Sequence, residues 1–548
     1  MQKNNKIFVD KTDFIDEINK RIEDSDKFLA FTRPRRFGKS VTADMLVSYY
    51  SKGCDSSGLF IGLKISEKES YPEHLNKYNV IYWDMNSILG GYRDYLTDHK
   101  NSASGVAEDI VDFLKYQTIR ELCEVASFKT LLENDIVSCL SLYTAFKTLY
   151  RNGIRFVLIM DEWDLVYREF RDDTALLKKF IDLLRDLFKS ADGQKCFYFA
   201  YLTGILPIIK DNSESSLNTF DECTMLNPEP LERFFGFTEE DVQEIVRLPF
   251  CRLDAAELRE WYEGYKLNGV DIYNPNSVVN AVMKNKCRSY WSGTRSSEEV
   301  IRLINLNFRG IKEDILKLLN GDPVYFTSGG FKNDMTGISS KDDVLSLLAC
   351  LGYIACTDQK TEAPNGRRKI VKSAFVPNEE IRENLDEIVE AQDWYDGLTT
   401  LVRRSHNLYQ AILDLDGKRA AAIIQEIHNS HDISLLSCNS EESLTYCVMS
   451  GLSLATVKRY KARREEQSGK GRLDLVYEPL QDPSGAVILI EFKYGVSAEE
   501  AIKQIKGQEY YREYLDSRRS MIIAGINYNP KTKKHECLIV EKMTFEKV

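Results

Sequence analysis

Gly38-Lys39-Ser40 stands between a short apolar run, Phe28–Phe31, and a stretch in which Val41, Met45 and Leu46 recur at helical spacing. Strand, turn, Gly-Lys-Ser and helix is the layout of a loop that cradles phosphates. A triphosphate needs backbone N–H donors at a helix N-terminus, a cation on its β- and γ-phosphates, and a hydroxyl for Mg²⁺. Gly38 lets the chain approach, Lys39 is the cation and Ser40 the hydroxyl. A second apolar run, Ile154–Met160, leads into Asp161-Glu162. Asp161 suits the hydrated Mg²⁺, and Glu162 suits the positioning of an attacking water. The usual first glycine of such a loop is replaced by Arg33, so that Thr32-Arg-Pro-Arg-Arg-Phe-Gly-Lys-Ser40 carries Arg33, Arg35 and Arg36. Three arginines there could sense a triphosphate, act as fingers in cis, meet a nucleic-acid backbone, or form a charged surface loop with slow hydrolysis. ATP binding is the firmer expectation and ATP turnover the weaker one.

A second constellation is Asp474, Glu491 and Lys493. Gly471–Tyr477 and Ala486–Tyr494 read as two strands joined by a turn with Pro483 and Gly485. Their pairing brings Asp474 near Glu491, and the i, i+2 spacing puts Glu491 and Lys493 on one face. Two carboxylates with a backbone carbonyl make a hard oxygen site for Mg²⁺ or Mn²⁺. The metal would polarise a phosphodiester and help to form hydroxide, while Lys493 orients the nucleophile or offsets charge. Gln504, on a helix over Ala498–Tyr511, is placed to cover the site. Glu442, with Glu441 as its alternative, would add a third carboxylate from an upstream helix. The basic run Lys458–Arg464 lies just before this cluster, as a phosphate contact or as a solvated face.

The elements that must position these groups follow from patterning. Val80–Trp83 and Cys196–Leu202, the latter ending at Thr203-Gly204, are further buried strands, and helical patterns fill the gaps. That is the expectation for a parallel sheet covered on both faces. Shorter helices follow at Thr238–Leu248, with a Thr238/Asp241 cap, and at Ala255–Tyr262. A helix over Lys341–Leu351, the strand Gly352–Cys356, a turn at Pro364–Arg367 and Lys369–Phe375 suggest a winged-helix-like module, either a connector or a DNA-reading wing. The chain has 548 residues, enough for three or four units at roughly 100–200 residues each. Lys plus Arg is 73 and Asp plus Glu 84, a net charge of -11, which excludes a bulk polycation but not a local basic groove. Twelve cysteines without a C-x-x-C pair and six histidines without zinc spacing argue against a disulfide framework and a zinc enzyme. No apolar run approaches the ~20 residues of a membrane span, and Met1–Asn5 starts no signal peptide, so a cytoplasmic protein is expected.

Several motifs carry a resemblance. Phe8–Ile15, the arginine-bearing loop, Leu202-Thr-Gly204, Phe235-Gly-Phe-Thr-Glu239, Trp261–Tyr265 and Tyr273-Asn-Pro275 resemble an AAA-ATPase-like domain. Gly469-Lys-Gly-Arg-Leu-Asp474, Ile490-Glu-Phe-Lys493 and Gln504–Tyr510 resemble a PD-(D/E)XK nuclease domain, with Leu473 where the motif name has Pro. The resemblance implies an α/β multidomain protein: a P-loop NTPase with an AAA-like parallel sheet, a helical and winged-helix-like middle, and a restriction-endonuclease-like α/β domain. Its boundaries fall at 1–230 for the ATPase, 231–300 for a helical lid, 301–385 for the winged-helix-like connector and 386–548 for the nuclease. By the same resemblance Arg33, Arg35, Arg36, Gly38, Lys39, Ser40, Val41, Asp161 and Thr203 form the nucleotide set, with Ser40 and Asp161 on its metal. Glu162, Asp474, Glu491, Lys493 and Gln504 are the catalytic set, and Glu442, Asp474 and Glu491 the nuclease metal set. The implied cofactors are ATP and Mg²⁺, with Mn²⁺ an option at the nuclease. The implied partners are nucleic acid, DNA ahead of RNA, and a homo-oligomer or protein partner; no membrane is implied. The expected function is a metal-dependent nuclease gated or driven by an ATPase, in a defence role by analogy. The alternative is an ATP-dependent switch whose nuclease fold binds nucleic acid without cutting it.

Overall fold

The computed structural model describes residues 6–98, 107–134, 141–208, 217–291, 294–306, 308–319, 321–328, 338–362, 368–390, 398–429, 441–456, 460–468, 471–480, 485–509 and 520–543. The chain divides into two compact units: Met1–Asp314 with Pro323–Asn384, and Ile315–Asp322 with Leu385–Val548. The turn at Pro364–Arg367 lies outside the described residues, as do Pro483, Lys458-Arg459, Gly469-Lys470 and Tyr510-Tyr511.

The first unit is built on five parallel strands: β1 (Phe28–Thr32), β2 (Asn79–Asp84), β3 (Phe156–Asp161), β4 (Phe197–Gly204) and β5 (Asp221–Cys223), in the order β2-β3-β4-β1-β5. β1 and β3 are buried at every residue because helices cover both sheet faces, which is why they read as unbroken apolar runs. One face packs on Phe14, Leu46, Tyr49 and Tyr50, the other on Leu89, Phe146 and Phe180.

The helix after the loop, α1 (Lys39–Tyr50), buries Ala43, Leu46, Tyr49 and Tyr50. Val41 was expected on that apolar face and instead is 52% exposed. Only the later turns of α1 lie on the sheet; its first turn stands beyond the strand ends. α2 (Leu165–Glu169) follows β3.

The next stretch contains α3 (Glu239–Val246), α4 (Ala255–Tyr262), the hairpin β6 (Tyr265–Leu267) and β7 (Val270–Ile272), and α5 (Pro275–Lys284). Thr238 and Asp241 form the expected capping box. A three-stranded antiparallel sheet, β8 (Val324–Phe326), β9 (Ala355–Glu362) and β10 (Arg368–Phe375), is ordered β8-β10-β9 and preceded at β9 by α6 (Lys341–Leu351). Every α6 residue from Asp343 to Leu351 is buried. Buried Asp343 and Ser346 stand among its apolar residues, so α6 is packed on all sides over that stretch. The chain then enters α7 (Glu379–Glu390), whose first turns belong to the first unit and whose last turns belong to the second.

In the second unit a mixed sheet runs β11 (Tyr460–Ser468), β12 (Gly471–Pro479), β13 (Val487–Tyr494), β14 (Met521–Asn529) and β15 (Lys534–Met543) in that order. Only β13 and β14 are parallel, so a crossover is needed between them. A helix from Ala498 to Gly507 supplies it. Buried Ile502 and Ile505 of that helix pack on Leu473, Val476 and Leu489. The opposite face is covered by helices Leu398–Leu413, Gly417–Asn429 and Glu441–Thr456. The described cysteines are free thiols, and no described helix is long and apolar enough to cross a membrane.

Candidate functional site

At the carboxyl ends of the parallel strands, Asp84 is in register with Asp161, Asp161 with Thr203, and Thr32 with Gly204. Ligands of open parallel sheets bind beyond these ends. β1 delivers the loop there, and its last residue, Gly38, caps α1 with φ 85°, a conformation that favours glycine. Lys39 is buried, its ammonium donating to the Pro34 carbonyl at 3.0 Å. Burial lowers its pKa, against the pull of Glu162, Asp164 and Asp161. The Asp161 carboxyl is pushed up to about 6 by burial, opposed by a hydrogen bond from Ser40. Lys39, Ser40 and Asp161 therefore share one site.

Glu162 has φ 56° and places its carboxylate on the Arg168 guanidinium of α2. Arg168 Nε also lies 3.1 Å from Asp164, which is fully buried and accepts from the Ile205 and Leu206 amides at 3.3 and 3.2 Å. Glu162 is thus fastened to the end of β4.

The arginines of the loop diverge. Arg33 is fully buried and stacks on the Phe31 ring at 4.3 Å, donating to the carbonyls of Thr32 and Cys223 at 2.9 and 3.3 Å. Burial pulls its pKa down to about 10. The expectation of Arg33 at the phosphates is corrected: its guanidinium joins the ends of β1 and β5, because the side chain turns into the sheet. Arg35 is half-buried, and Arg36, at φ 71°, donates to the Tyr290 carbonyl. Thr203 is fully buried beside the Tyr201 hydroxyl.

A cavity of about 480 Å³ opens beside Gly38 and Val41, walled by Phe8, Phe37, Phe237 and Pro275. Three sequence motifs without an individual role meet in it: Phe8–Ile15, Phe235–Glu239 and Tyr273–Pro275. They are tied by the Phe237–Tyr273 backbone bridge, with N···O distances of 3.2 and 2.8 Å, and by a salt bridge from Lys11 to Asp241.

In the second unit β12 and β13 pair with Leu475 opposite Ile490, which sets Asp474 beside Glu491. Asp474 Oδ2 accepts the Phe492 amide at 2.8 Å. Glu491 is 1% exposed, and its Oε2 has no hydrogen-bond partner among the described residues. Burial, and then the Asp474 charge, push its carboxyl up to about 7. The Lys493 ammonium bonds Glu491 Oε1 at 3.2 Å and the Phe492 carbonyl at 2.9 Å. A cation thus already sits on two of the oxygens that, with Asp474, form a hard-oxygen site. Gly525, in register with Glu491, lets the crossover helix close on this face: a Cβ there would lie 2.4 Å from the Ala498 carbonyl. Gln504 is half-buried on that helix, flanking its buried stripe. The basic run continues on edge strand β11, where Arg463 pairs with Glu478 at 2.9 Å across to β12.

Residues 1–213 match the family model described as a predicted AAA-ATPase, and residues 440–537 match that of the PD-(D/E)XK nuclease superfamily. The chain thus carries an AAA-ATPase-like domain at residues 1–213 and a PD-(D/E)XK nuclease superfamily domain at residues 440–537. A protein of Azotobacter chroococcum mcd 1, described as an uncharacterized protein in the vnfD 5′ region, is 22% identical, with the alignment covering 98% of this chain and 95% of that one. Among solved structures the Aeropyrum pernix ORC2 protein (ADPNP-ADP complexes) aligns over 70% of this chain and 92% of its own. Its identity is 12% and its TM-score 0.27, too low for any inference.

In the AAA-ATPase-like domain the structure brings together Gly38, Lys39, Ser40, Asp161 and Glu162, with Val41 at the mouth of the cavity. Asp84, at the end of β2, and Arg168, on α2 beside Glu162 and Asp164, belong to the same site and were missed. Asp84 ends the Val80–Trp83 run as Asp161 ends its own, and that parallel was the available signal. In the nuclease domain Asp474, Glu491 and Lys493 share one face. Glu441 and Glu442 open the helix Glu441–Thr456, and their side chains lie outside the described residues. Among the described residues no group of three or more His, Cys, Asp or Glu is placed to hold a metal ion. Glu491, with an oxygen that has no partner among the described residues, and Asp474 beside it are the carboxylates that would hold a divalent cation here.

Proposed function

We propose that the chain binds ATP with Mg²⁺ at Lys39, Ser40 and Asp161, and cuts phosphodiester bonds of nucleic acid at Asp474, Glu491 and Lys493, with cutting gated by the nucleotide. Backbone amides at the start of α1 and the Lys39 ammonium hold the phosphates. The 480 Å³ apolar cavity beside Gly38 is of a size to take the base and sugar. At the nuclease face Asp474 and Glu491 would hold Mg²⁺ or Mn²⁺, which supplies a polarised phosphoryl oxygen and an acidified water. Lys493 then stands beside the reacting group as the charge that orients the nucleophile or offsets the phosphorane.

The observation that carries this reading is Glu491: a carboxylate buried to 1% beside a second carboxylate, with one oxygen unpartnered. Burying it so is costly to folding, and a cation removes the cost. The test is cleavage of labelled single- and double-stranded DNA and RNA in Mg²⁺ and Mn²⁺, with and without ATP. Asp474→Ala must abolish cutting while ATP binding survives; cutting that persists in Asp474→Ala sinks the nuclease reading.

One observation favours a second reading, a nucleotide-operated switch with slow turnover. Glu162 places Oε2 on the Arg168 guanidinium, an ion pair that competes with the orienting of a water. ATP binding without measurable hydrolysis, in protein that cuts nothing under any metal, would select it.

A further inference from the structure

The phosphate loop is fastened on its outer side to residues far along the chain, all within the first unit. Pro34, whose carbonyl holds Lys39, packs on Gly352 at the end of α6. Gly352 has φ 86°, and a Cβ there would lie 2.8 Å from the Pro34 ring and 3.0 Å from Trp291. Phe37 meets the Tyr265 ring edge-on at 5.2 Å, and the Tyr265 hydroxyl donates to the Gly352 carbonyl at 2.9 Å. Arg36 donates to the Tyr290 carbonyl. The amide of the same Tyr290 donates at 2.6 Å to Glu380 Oε1, which also accepts from Ser277 at 2.9 Å. Glu380 is fully buried in the first turn of α7, and its Oε2 has no partner among the described residues. Asn378 caps that turn, accepting the Ile381 amide at 3.1 Å and donating to the Glu263 carbonyl at 2.8 Å. A buried carboxylate that close to Arg36, reached through a single residue, is a connection and not a surface ion pair.

We propose that Arg36, Tyr290 and Glu380 form a latch between the phosphate loop and α7, so that nucleotide in the loop is reported to the helix that leads into the nuclease unit. This rests on the nucleotide-binding reading above. Nucleotide draws the Lys39 ammonium from the Pro34 carbonyl toward the phosphates. Pro34 and Arg36, two residues apart in the same loop, then move together. The Arg36 bond to the Tyr290 carbonyl is the first to give, and Glu380 Oε1 then loses the Tyr290 amide. The first turn of α7 is freed.

The experiment is hydrogen exchange on the full chain, with and without Mg²⁺ and a non-hydrolysable ATP analogue, with binding of the analogue measured separately by calorimetry. In wild type the analogue speeds exchange severalfold in peptides spanning 286–291 and 378–384. Glu380→Ala shows the fast state already without nucleotide and no further response, while still binding the analogue. Glu380→Gln, which keeps an acceptor for Tyr290 and Ser277, retains a reduced response and covers the case in which the alanine variant does not fold. Binding without any exchange response in those peptides overturns the latch alone, as does a full response in Glu380→Ala. No binding by calorimetry overturns the nucleotide reading, and the latch with it.

Discussion

Arg33, Glu380 and Glu491 are three ionisable side chains placed where charge is costly to bury, each for its own reason. Arg33 closes the ends of β1 and β5, with its guanidinium on the Thr32 and Cys223 carbonyls and the Phe31 ring. Arg33→Met is expected to lower stability by ~1–3 kcal/mol, since the Thr32 and Cys223 carbonyls lose a buried donor. It should leave nucleotide affinity within about threefold, far short of the tenfold that ~1.4 kcal/mol of lost phosphate contact would bring. A collapse of affinity in correctly folded Arg33→Met, seen by calorimetry alongside thermal melts, would return Arg33 to the phosphates. Glu380 has its carboxyl pushed up to about 7 by burial, against ~4.3 for a free glutamate. Between those values the folded chain holds a proton that the unfolded chain has released. Stability contributed by that proton is therefore full below pH ~4.3 and is lost as pH rises toward 7. Urea midpoints measured from pH 4.5 to 7.5 should fall in wild type, by an amount of order 2 kcal/mol in this window, and the slope should flatten in Glu380→Gln. Glu491 lies at the proposed metal site, and there the conservative change is at its neighbour. Asp474→Asn keeps an acceptor for the Phe492 amide, so its melting should match wild type while cleavage falls to background.

Elements decide how these residues meet, and the seam at Gly236 shows it most directly. Gly236 has φ 91°, and a Cβ there would lie 2.2 Å from Ile272 Cγ2, next to the Phe237–Tyr273 bridge. Gly236→Ala should cost ~1–3 kcal/mol through backbone strain and weaken nucleotide binding by deforming the wall of the cavity. Unchanged nucleotide affinity in the folded variant would remove that cavity from the site. The parallel strands β1 to β4 and the buried β13 and β14 were legible in the sequence because both faces are covered and the runs are apolar. β5, β11 and β15 were not, because each is an edge strand or carries charge, and Tyr460–Ser468 reads as a basic and acidic run until β12 pairs with it. The same limit governs the sites. Asp474, Glu491 and Lys493 lie on paired strands, where periodicity fixes the face. The pairing of Asp84 with Asp161, the inward turn of Arg33 and the Arg36–Tyr290 bond depend on packing between segments far apart in the chain, which no local pattern encodes.

At the scale of the whole molecule, the two candidate sites are joined by a covalent path that runs through α7, and the proposed gating must obey linkage. If nucleotide changes the affinity for nucleic acid by some factor, nucleic acid changes the affinity for nucleotide by the same factor. Asp474→Ala is the suitable background, because it binds without cutting and lets both equilibria be measured. A fluorescent ATP analogue titrated with and without saturating nucleic acid should shift in Kd by about 5–150-fold, the span of ordinary coupling energies. Nucleic acid titrated with and without saturating analogue should shift by an equal factor. Lys39→Ala should erase both shifts while leaving nucleic-acid binding at its nucleotide-free value. Glu380→Ala should retain both ligands yet shrink the coupling toward unity, because it breaks the path without touching either site. Equal and undiminished coupling in Glu380→Ala would show that the two sites communicate by a route other than α7, whereas coupling of unity in the Asp474→Ala background would mean that the nucleotide gates the chemical step and not binding.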